Sequence, residues 1–151
     1  MVKVHVWMPN GNNVGHTALT VKNVYISFWP DGEAGKKDLK IKRSQPGMFI
    51  QNLHEDIANE GNRPPITINL PNLDEDSILD FIASIQNSVP RYQLARNNCS
   101  HIVAMALIQG AKTKPSFTPH AGHYSRLGRV LGRGIWTPDQ ILRFAKEIRH
   151  A

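Results

Sequence analysis

The chain has 151 residues, of which 40% are hydrophobic and 20% are charged, and it carries one cysteine and a formal net charge of +6. This length accommodates one ordinary domain with a proper core, and the composition is that of a globular protein. A single cysteine excludes an intramolecular disulfide framework, and no Cys/His cluster suggests structural zinc. We therefore expect a single domain over residues 1–151, without metal or cofactor.

The positive charge is concentrated towards the C-terminus. Residues 1–111 contain ten Lys or Arg and ten Asp or Glu, whereas residues 112–151 contain eight Lys or Arg and two Asp or Glu. This asymmetry favours contact with a polyanion, and the alternative is a merely solvated basic surface. Nucleic acid is not expected as the partner, because few aromatic residues lie among the basic ones and no recognised binding motif is present.

The sequence shows no targeting or membrane-spanning segment. Its N-terminus lacks the long apolar stretch of a secretory signal peptide. No window approaches the roughly 20 apolar residues that a membrane span requires. We therefore expect either a cytoplasmic protein or one exported by a non-classical secretion system.

The first 30 residues alternate between strand and turn patterns. Val2–Met8 places apolar residues at every second position, as a half-buried strand does. Turn residues at Pro9–Asn13 lead to a second strand at Gly15–Val21. A tight turn at Lys22–Asn23 leads to a third strand at Val24–Pro30. The sequence predicts a three-stranded antiparallel meander.

The middle of the chain gives weaker signals. Asp31–Gly47 is polar and rich in breakers, which indicates an exposed loop that could include a short strand at Leu39–Ile41. Met48–Gly61 predicts a short helix, and the composition of Pro65–Leu70 predicts a strand. Asn72–Asn87 predicts an amphipathic helix with acidic residues in its first turn, where the macrodipole favours negative charge.

The last 40 residues predict a long basic loop followed by a helix. Lys112–Gly134 is rich in Gly and Pro and has little periodicity. The final helix has Thr137 as its N-cap and Pro138 at its first position, and Gln140 completes a predicted capping box.

The cysteine lies where another helix is predicted to begin. In RNNCSHIVAMAL, either Asn97 or Asn98 can be the N-cap, since an asparagine side chain accepts a hydrogen bond from an unpaired amide. Cys99 then falls in the first turn, where free N–H groups and the macrodipole can stabilise a thiolate or an oxyanion. Gly110 suits the end of this helix. The alternative is that Cys99 is a small buried hydrophobic residue.

A thiolate nucleophile needs a base, and His16 is the preferred candidate among seven histidines. It begins a strand directly after Gly15, on a face with small residues, so that a helix end could approach it closely. His101 is two residues from Cys99, about 200° around the helix, and is predicted to point away. The alternative for His16 is a structural residue with satisfied hydrogen bonds.

The segments GHTALTV, YISFWP and NNCSHIVAMAL together resemble the circularly permuted branch of the papain-like cysteine hydrolase superfamily. This branch includes permuted NlpC-type hydrolases, lecithin:retinol acyltransferase-like proteins and PPPDE-type isopeptidases, in which the histidine strand precedes the cysteine helix. The acyltransferase-like members carry an Asn-Cys-Glu-His-Phe-Val type motif, similar to Asn98–Val103. The resemblance covers roughly Val2–Gly110. It implies an α+β fold in which an antiparallel sheet packs against the cysteine-bearing helix, with a papain-like core over 1–111 and a basic loop and helix over 112–151.

The resemblance implies catalytic roles for individual residues. Cys99 would be the nucleophile and His16 the general base. The third polar residue of the family orients the histidine and comes from the next strand, where Ser27 is the best positional match, eleven residues after His16. The family more often has His, Asn or Gln at that position, and Ser100 replaces glutamate in the cysteine motif. A Cys–His dyad supported by Ser27 is therefore expected.

Four residues are candidates for substrate binding. Tyr25 and Trp29 could line a cleft beside the histidine, and Asn98 and Ser100 flank the nucleophile. The alternative for the two aromatic residues is core packing on the faces of a strand.

Three functions are compatible with these features. The first is a thiol hydrolase that cleaves amide bonds of peptidoglycan peptides or protein isopeptides through an acyl-enzyme thioester. Such an enzyme could be a secreted bacterial toxin or effector, with an inhibitor or immunity protein as partner. The second is a phospholipase or acyltransferase on membrane lipids, with the basic tail on anionic headgroups. The third is a non-enzymatic polyanion-binding module in which Cys99 is structural.

Overall fold

A computed structural model describes residues 1–10, 14–30, 45–93, 97–123 and 126–151, which form six strands, four α-helices and one short 3-10 turn. None of these helices is long and apolar enough to cross a membrane. The predicted α+β class is confirmed. The strands are β1 (Val2–Trp7), β2 (His16–Val21), β3 (Val24–Pro30), β4 (Gln45–Ile50), β5 (Ile66–Leu70) and β6 (Arg91–Tyr92). The helices are α1 (Leu53–Asn59), α2 (Glu75–Asn87), α3 (Cys99–Ala111) and α4 (Pro138–Arg149), and the 3-10 turn is Arg126–Arg129.

The strands form one sheet in the order β5-β1-β2-β3-β4-β6, in which neighbouring strands are antiparallel. The predicted meander of β1, β2 and β3 is confirmed. Its register sets Trp7 opposite His16 at one end of the β1–β2 pair. The turn between β2 and β3 is at Lys22–Asn23, as predicted. The strand β3 pairs with β2 at Leu19–Val21, whereas the start of β2 at His16 pairs with β1.

The helices α3 and α4 cover one face of this sheet. Both contact β2, α4 also contacts β1 and β5, and α2 packs against α3. Their buried side chains join those of the strands in one hydrophobic cluster, and burying each large aliphatic side chain contributes about 1.5–3 kcal/mol. The C-terminal helix, which the resemblance does not cover, therefore shares the main core. Members of the cluster include Val4, Leu19, Ile68, Ile78, Val103, Leu107, Ile141 and Phe144.

The sequence prediction is wrong between residues 45 and 61. Gln45–Ile50 forms β4, where the sequence predicts the end of a loop and the start of a helix. Only Leu53–Asn59 is helical, with Asn52 as its N-cap. The strand β4 pairs with β3 on one side and β6 on the other, so distant partners rather than local propensity decide its conformation.

Other elements agree more closely with the sequence. The strand predicted at Pro65–Leu70 and the helix predicted within Asn72–Asn87 are confirmed as β5 and α2. The short strand β6 is missed by the sequence analysis. The predicted strand at Leu39–Ile41 and part of the turn at Pro9–Asn13 lie outside the described residues.

The predicted end of α3 is wrong by two residues. Gly110 lies inside the helix, which is terminated by Lys112 in the left-handed conformation, with a φ of 58°. The glycine instead permits close packing of α2. A Cβ at this position would lie 2.4 Å from Cδ1 of the buried Ile78.

The predicted capping box of α4 is also wrong. Thr137 occupies the N-cap position and Pro138 the first turn, as predicted, but the Thr137 side chain makes no capping hydrogen bond. Its hydroxyl donates to Asp139 Oδ1 at 2.6 Å, and Gln140 Nε2 donates to Asp139 Oδ2 at 2.9 Å. The Asp139 carboxylate thus engages both side chains that would have formed the box.

Gly15 fixes the entry of the chain into β2. Its φ is +85°, and a Cβ there would lie 2.6 Å from the Trp7 carbonyl oxygen and 3.1 Å from Pro138 Cγ. We expect Gly15→Ala to lower the free energy of unfolding by about 2–4 kcal/mol, because a strained φ and a backbone clash add together. Guanidinium-induced unfolding measures this change.

Gly61→Ala is the matched control for that prediction. Gly61 also has a positive φ, of +72°, but a Cβ there would meet no atom of the described residues within 4 Å. Gly61→Ala should lower the free energy of unfolding by about 1 kcal/mol, from backbone strain alone. Equal losses in the two variants would show that the close approach at Gly15 is not a constraint.

Candidate active site

Cys99 and His16 meet at the ends of two elements. Cys99 is the first residue of α3, and His16 is the first residue of β2. Asn98, one of the two predicted candidates, is the N-cap of α3, and its side chain accepts a hydrogen bond from the His101 N–H at 2.8 Å. The thiol and the imidazole lie close enough for each to shift the pKa of the other, and only 8% of Cys99 and 2% of His16 are exposed. The structure therefore brings together the two residues that the sequence pairs.

The second ring nitrogen of His16 faces two polar side chains. Nε2 lies 2.7 Å from Ser27 Oγ and 3.3 Å from Asp56 Oδ2. Ser27 thus contacts the histidine from β3, at the position where the resemblance puts the orienting residue. Asp56 is fully buried, comes from α1 and was missed by the sequence analysis. Because Nε2 is engaged in this way, Nδ1 is the ring nitrogen left to face Cys99.

Two aromatic side chains of β3 hold the Asp56 carboxylate. The Trp29 indole stacks on the His16 ring with centroids 4.4 Å apart, and its Nε1 donates to Asp56 Oδ1 at 2.8 Å and to Ser27 Oγ at 3.0 Å. The Tyr25 hydroxyl donates to Asp56 Oδ2. Both aromatic residues therefore position the carboxylate, and their predicted role in substrate binding stays a prediction.

The thiol of Cys99 has hydroxyl neighbours on two elements. Thr17 is one of them, and its backbone N–H and hydroxyl contribute to lowering the pKa of the thiol. The Ser100 hydroxyl, which is buried, lies 3.1 Å from Thr17 Oγ1 and 3.9 Å from the sulfur. Asn98 Nδ2 donates to the Trp136 carbonyl at 2.9 Å. Ser100 and Asn98 thus contact groups of the protein itself, and their predicted substrate contacts stay a prediction.

The segment before α4 contacts both sides of the site. The Trp136 carbonyl accepts the hydrogen bond from Asn98, which directly precedes the cysteine. The Pro138 ring packs against Gly15, which directly precedes the histidine. The C-terminal region therefore belongs to the surroundings of the site, although the resemblance ends before it.

The pKa values of the three ionisable groups shift in the directions that favour their charged forms. Burial by itself would lower the pKa of His16, but the negative charge of Cys99 and the hydrogen bond of Asp56 raise it to about 10. Burial by itself would raise the pKa of Cys99, but the charge and hydrogen bond of His16 and the donors of Thr17 lower it. Burial would likewise raise the pKa of Asp56, and the hydrogen bond and charge of His16 lower it. All three shifts therefore favour the charged forms, a thiolate, an imidazolium and a carboxylate, each of which stabilises its neighbour.

His5 shows the contrasting, structural use of a histidine. His5, in β1, is buried, and its ring nitrogens lie 3.0 Å from Thr67 Oγ1 and 2.8 Å from Thr20 Oγ1. Burial and the charge of Lys3 lower its pKa to about 4, so that it is neutral near pH 7. A buried histidine with neutral partners and one with ionised partners thus occur on adjacent strands.

Comparisons with known proteins assign neither a family nor a role to this site. The chain matches no protein-family model, no curated protein and no solved structure. The class of site is defined by its contents: a cysteine at a helix N-terminus, a histidine beside it and a buried aspartate behind the histidine.

Asp56→Asn tests the importance of the buried carboxylate. We expect the free energy of unfolding to fall by about 3 kcal/mol at neutral pH, because the imidazolium loses its buried partner. The pKa of Asp56 is lower in the folded than in the unfolded chain, so its stabilisation is present above about pH 4 and is lost as the pH falls further. The difference between the wild type and the variant should therefore shrink on acidification, as measured by chemical unfolding at several pH values.

Asp74→Asn is the control for that experiment. Asp74 is an exposed N-cap of α2 that also has a lowered pKa, owing to the Ser77 backbone N–H. Asparagine caps a helix about as well as aspartate, so a change within about 0.5 kcal/mol is expected. The ionic role of the carboxylate would be contradicted if the wild type and Asp56→Asn differed in free energy of unfolding by the same amount down to strongly acidic pH.

Proposed function

We propose that the protein is a thiol hydrolase that cleaves amide bonds through an acyl-enzyme thioester on Cys99. One observation carries the proposal: Cys99 is paired with His16, whose far ring nitrogen faces Asp56 and Ser27. A nucleophile, a base and a group that orients the base are the three parts that covalent acyl transfer requires. A purely structural cysteine needs none of them, and apolar surroundings would raise its pKa.

The first step is attack by the Cys99 thiolate on the carbonyl carbon of the amide. A carbon–sulfur bond forms, and an electron pair of the carbonyl group moves onto oxygen. The first N–H groups of a helix have no acceptor within the helix, and Asn98 already accepts from that of His101. The N–H groups of Cys99 and Ser100 are then the donors that can stabilise the oxyanion.

The second step is protonation of the leaving amine by His16. Before the attack, the thiolate charge raises the pKa of His16 against the effect of burial. Acylation removes this charge while the burial remains, so the imidazolium becomes a stronger acid as the carbon–nitrogen bond breaks. The proton moves from Nδ1 to nitrogen, and the amine leaves neutral. This behaviour favours amides over esters, since an amine leaves poorly without a proton.

Hydrolysis of the thioester completes the cycle. The neutral His16 takes a proton from water, and the resulting hydroxide forms a bond to the carbonyl carbon. The carbon–sulfur bond breaks, the acid product leaves, and the thiolate–imidazolium pair is restored. Asp56 stays ionised throughout, which keeps Nε2 protonated and the ring in place.

We also propose that the α+β fold is of the circularly permuted papain-like type. The order of the histidine strand β2 before the cysteine helix α3, on an antiparallel sheet, supports this proposal. The contact of Ser27 with the histidine from the following strand supports it as well. On this basis the substrates we propose are peptide links such as those of peptidoglycan or of protein isopeptides.

The pH dependence of Cys99 alkylation by iodoacetamide tests the paired state. In the wild type, the thiol should titrate well below the ordinary value of about 8.5. In His16→Ala, the imidazolium is lost while Cys99 stays buried, so the pKa of the thiol should rise above that value. Alkylation near pH 7 should then fall by at least about tenfold. His101→Ala, two residues from the cysteine, is the control and should leave the titration unchanged.

Turnover of amide substrates tests the hydrolase itself. Wild-type protein is incubated with peptidoglycan fragments and with isopeptide-linked peptides, and released amines are quantified. Cys99→Ser keeps the size of the side chain but should lower the rate by at least about 10³-fold. Equal rates for the two proteins, or a thiol that titrates normally and independently of His16, would refute the proposal.

A further inference from the structure

Three aliphatic side chains project into solvent from the 3-10 turn and the residues that follow it. Leu127 is 66% exposed, Val130 75% and Leu131 77%, the largest exposures of any large hydrophobic residue that the structure describes. We call these three residues the aliphatic turn. Grouped aliphatic side chains of this kind on a surface mark a site that contacts another molecule or a membrane.

The aliphatic turn is held in place by its own backbone and by glycines on its opposite face. The Leu131 N–H donates to the Leu127 carbonyl at 2.8 Å, and the Gly132 N–H donates to the Gly128 carbonyl at 3.1 Å. A Cβ at Gly128 would lie 2.0 Å from the Ala121 carbonyl oxygen, and one at Gly132 would lie 2.6 Å from Ala121 Cβ. The glycine face therefore packs on Ala121 of the preceding loop, and the aliphatic face, at i, i+3 and i+4, is left outside.

The surrounding sequence carries charge of one sign. Residues 112–138 contain five Lys or Arg and no Asp or Glu. Arg133, the nearest of the basic residues whose side chain is described, is exposed. The other basic residues of this stretch are Lys112, Lys114, Arg126 and Arg129.

We propose that the aliphatic turn docks on an anionic lipid bilayer. The three side chains enter the interface between headgroups and acyl chains, while the exposed Arg133 faces lipid phosphates. A bilayer supplies both an apolar phase and negative charge, whereas a nucleic acid or a cell-wall polymer offers no apolar phase for the aliphatic side chains. The proposal does not depend on the activity proposed for Cys99.

Vesicle flotation of the full chain tests the docking. The protein should bind vesicles of phosphatidylcholine mixed with phosphatidylglycerol, should bind pure phosphatidylcholine vesicles far more weakly, and should be released by salt. Replacing Leu127, Val130 and Leu131 together by serine should lower the affinity by at least about tenfold, because their burial in the interface is lost. Arg133→Gln should lower it by about fivefold, the contribution of one cation near such a surface.

The double variant Ile66→Ser and Val89→Ser is the matched control. These side chains are also aliphatic and exposed, by 45% and 48%, but lie elsewhere in the chain, so binding should not change. The side chains replaced in the triple variant point into solvent, and its free energy of unfolding should equal that of the wild type. Failure of the wild type to bind anionic vesicles, or equal binding of the wild type and the triple variant, would overturn the proposal. A dimer that disappears in the triple variant would also overturn it, by assigning the aliphatic turn to a second copy of the chain.

Discussion

The buried carboxylate of Asp56 is the constraint on which the rest of the site depends. A fully buried negative charge is tolerated only when donors surround it, and here the donors are His16, Trp29 and Tyr25. The same contacts fix the plane of the imidazole and keep it protonated. A protonated imidazole in turn permits a thiolate in the interior at Cys99, which burial alone would disfavour. The three charges are therefore interdependent, and the removal of one destabilises the other two.

The site is assembled by the topology of the sheet rather than by any one segment. His16 begins β2, Tyr25 and Trp29 come from β3, and Asp56 comes from the helix that follows β4. The antiparallel order sets these elements side by side, and α3 brings Cys99 onto them from one face. The candidate site is thus a property of the packed sheet and helix. Cys99 and His16 are held by elements that also contribute to the core, whereas Asp56 is the buried residue of α1.

Local patterns predicted the parts of this arrangement that depend on neighbours in sequence. The alternation in β1 to β3, and the position of the cysteine after an asparagine cap, are visible in single segments. Asp56 was missed because an acidic residue in a short, weak helix is normally exposed, and only its contacts with distant residues of β2 and β3 account for its burial. One signal for a buried acceptor was present in the sequence. Tyr25, Ser27 and Trp29 occupy alternate positions of one strand and therefore share a face. Three hydrogen-bond donors on one strand face require an acceptor nearby. The catalytic assignments themselves stay predictions until the thiol is titrated.

The contacts of the C-terminal segment have a consequence for synthesis of the protein. Trp136 and Pro138 touch the residues that directly precede Cys99 and His16, and α4 fills the core beneath them. A chain emerging from the ribosome has its histidine and its cysteine long before it has these last supports. Cys99 is therefore not fully enclosed until α4 has been released from the exit tunnel and has docked. Completion of the site is in this way tied to the synthesis and docking of α4, since this helix closes the core around β1, β2 and β5.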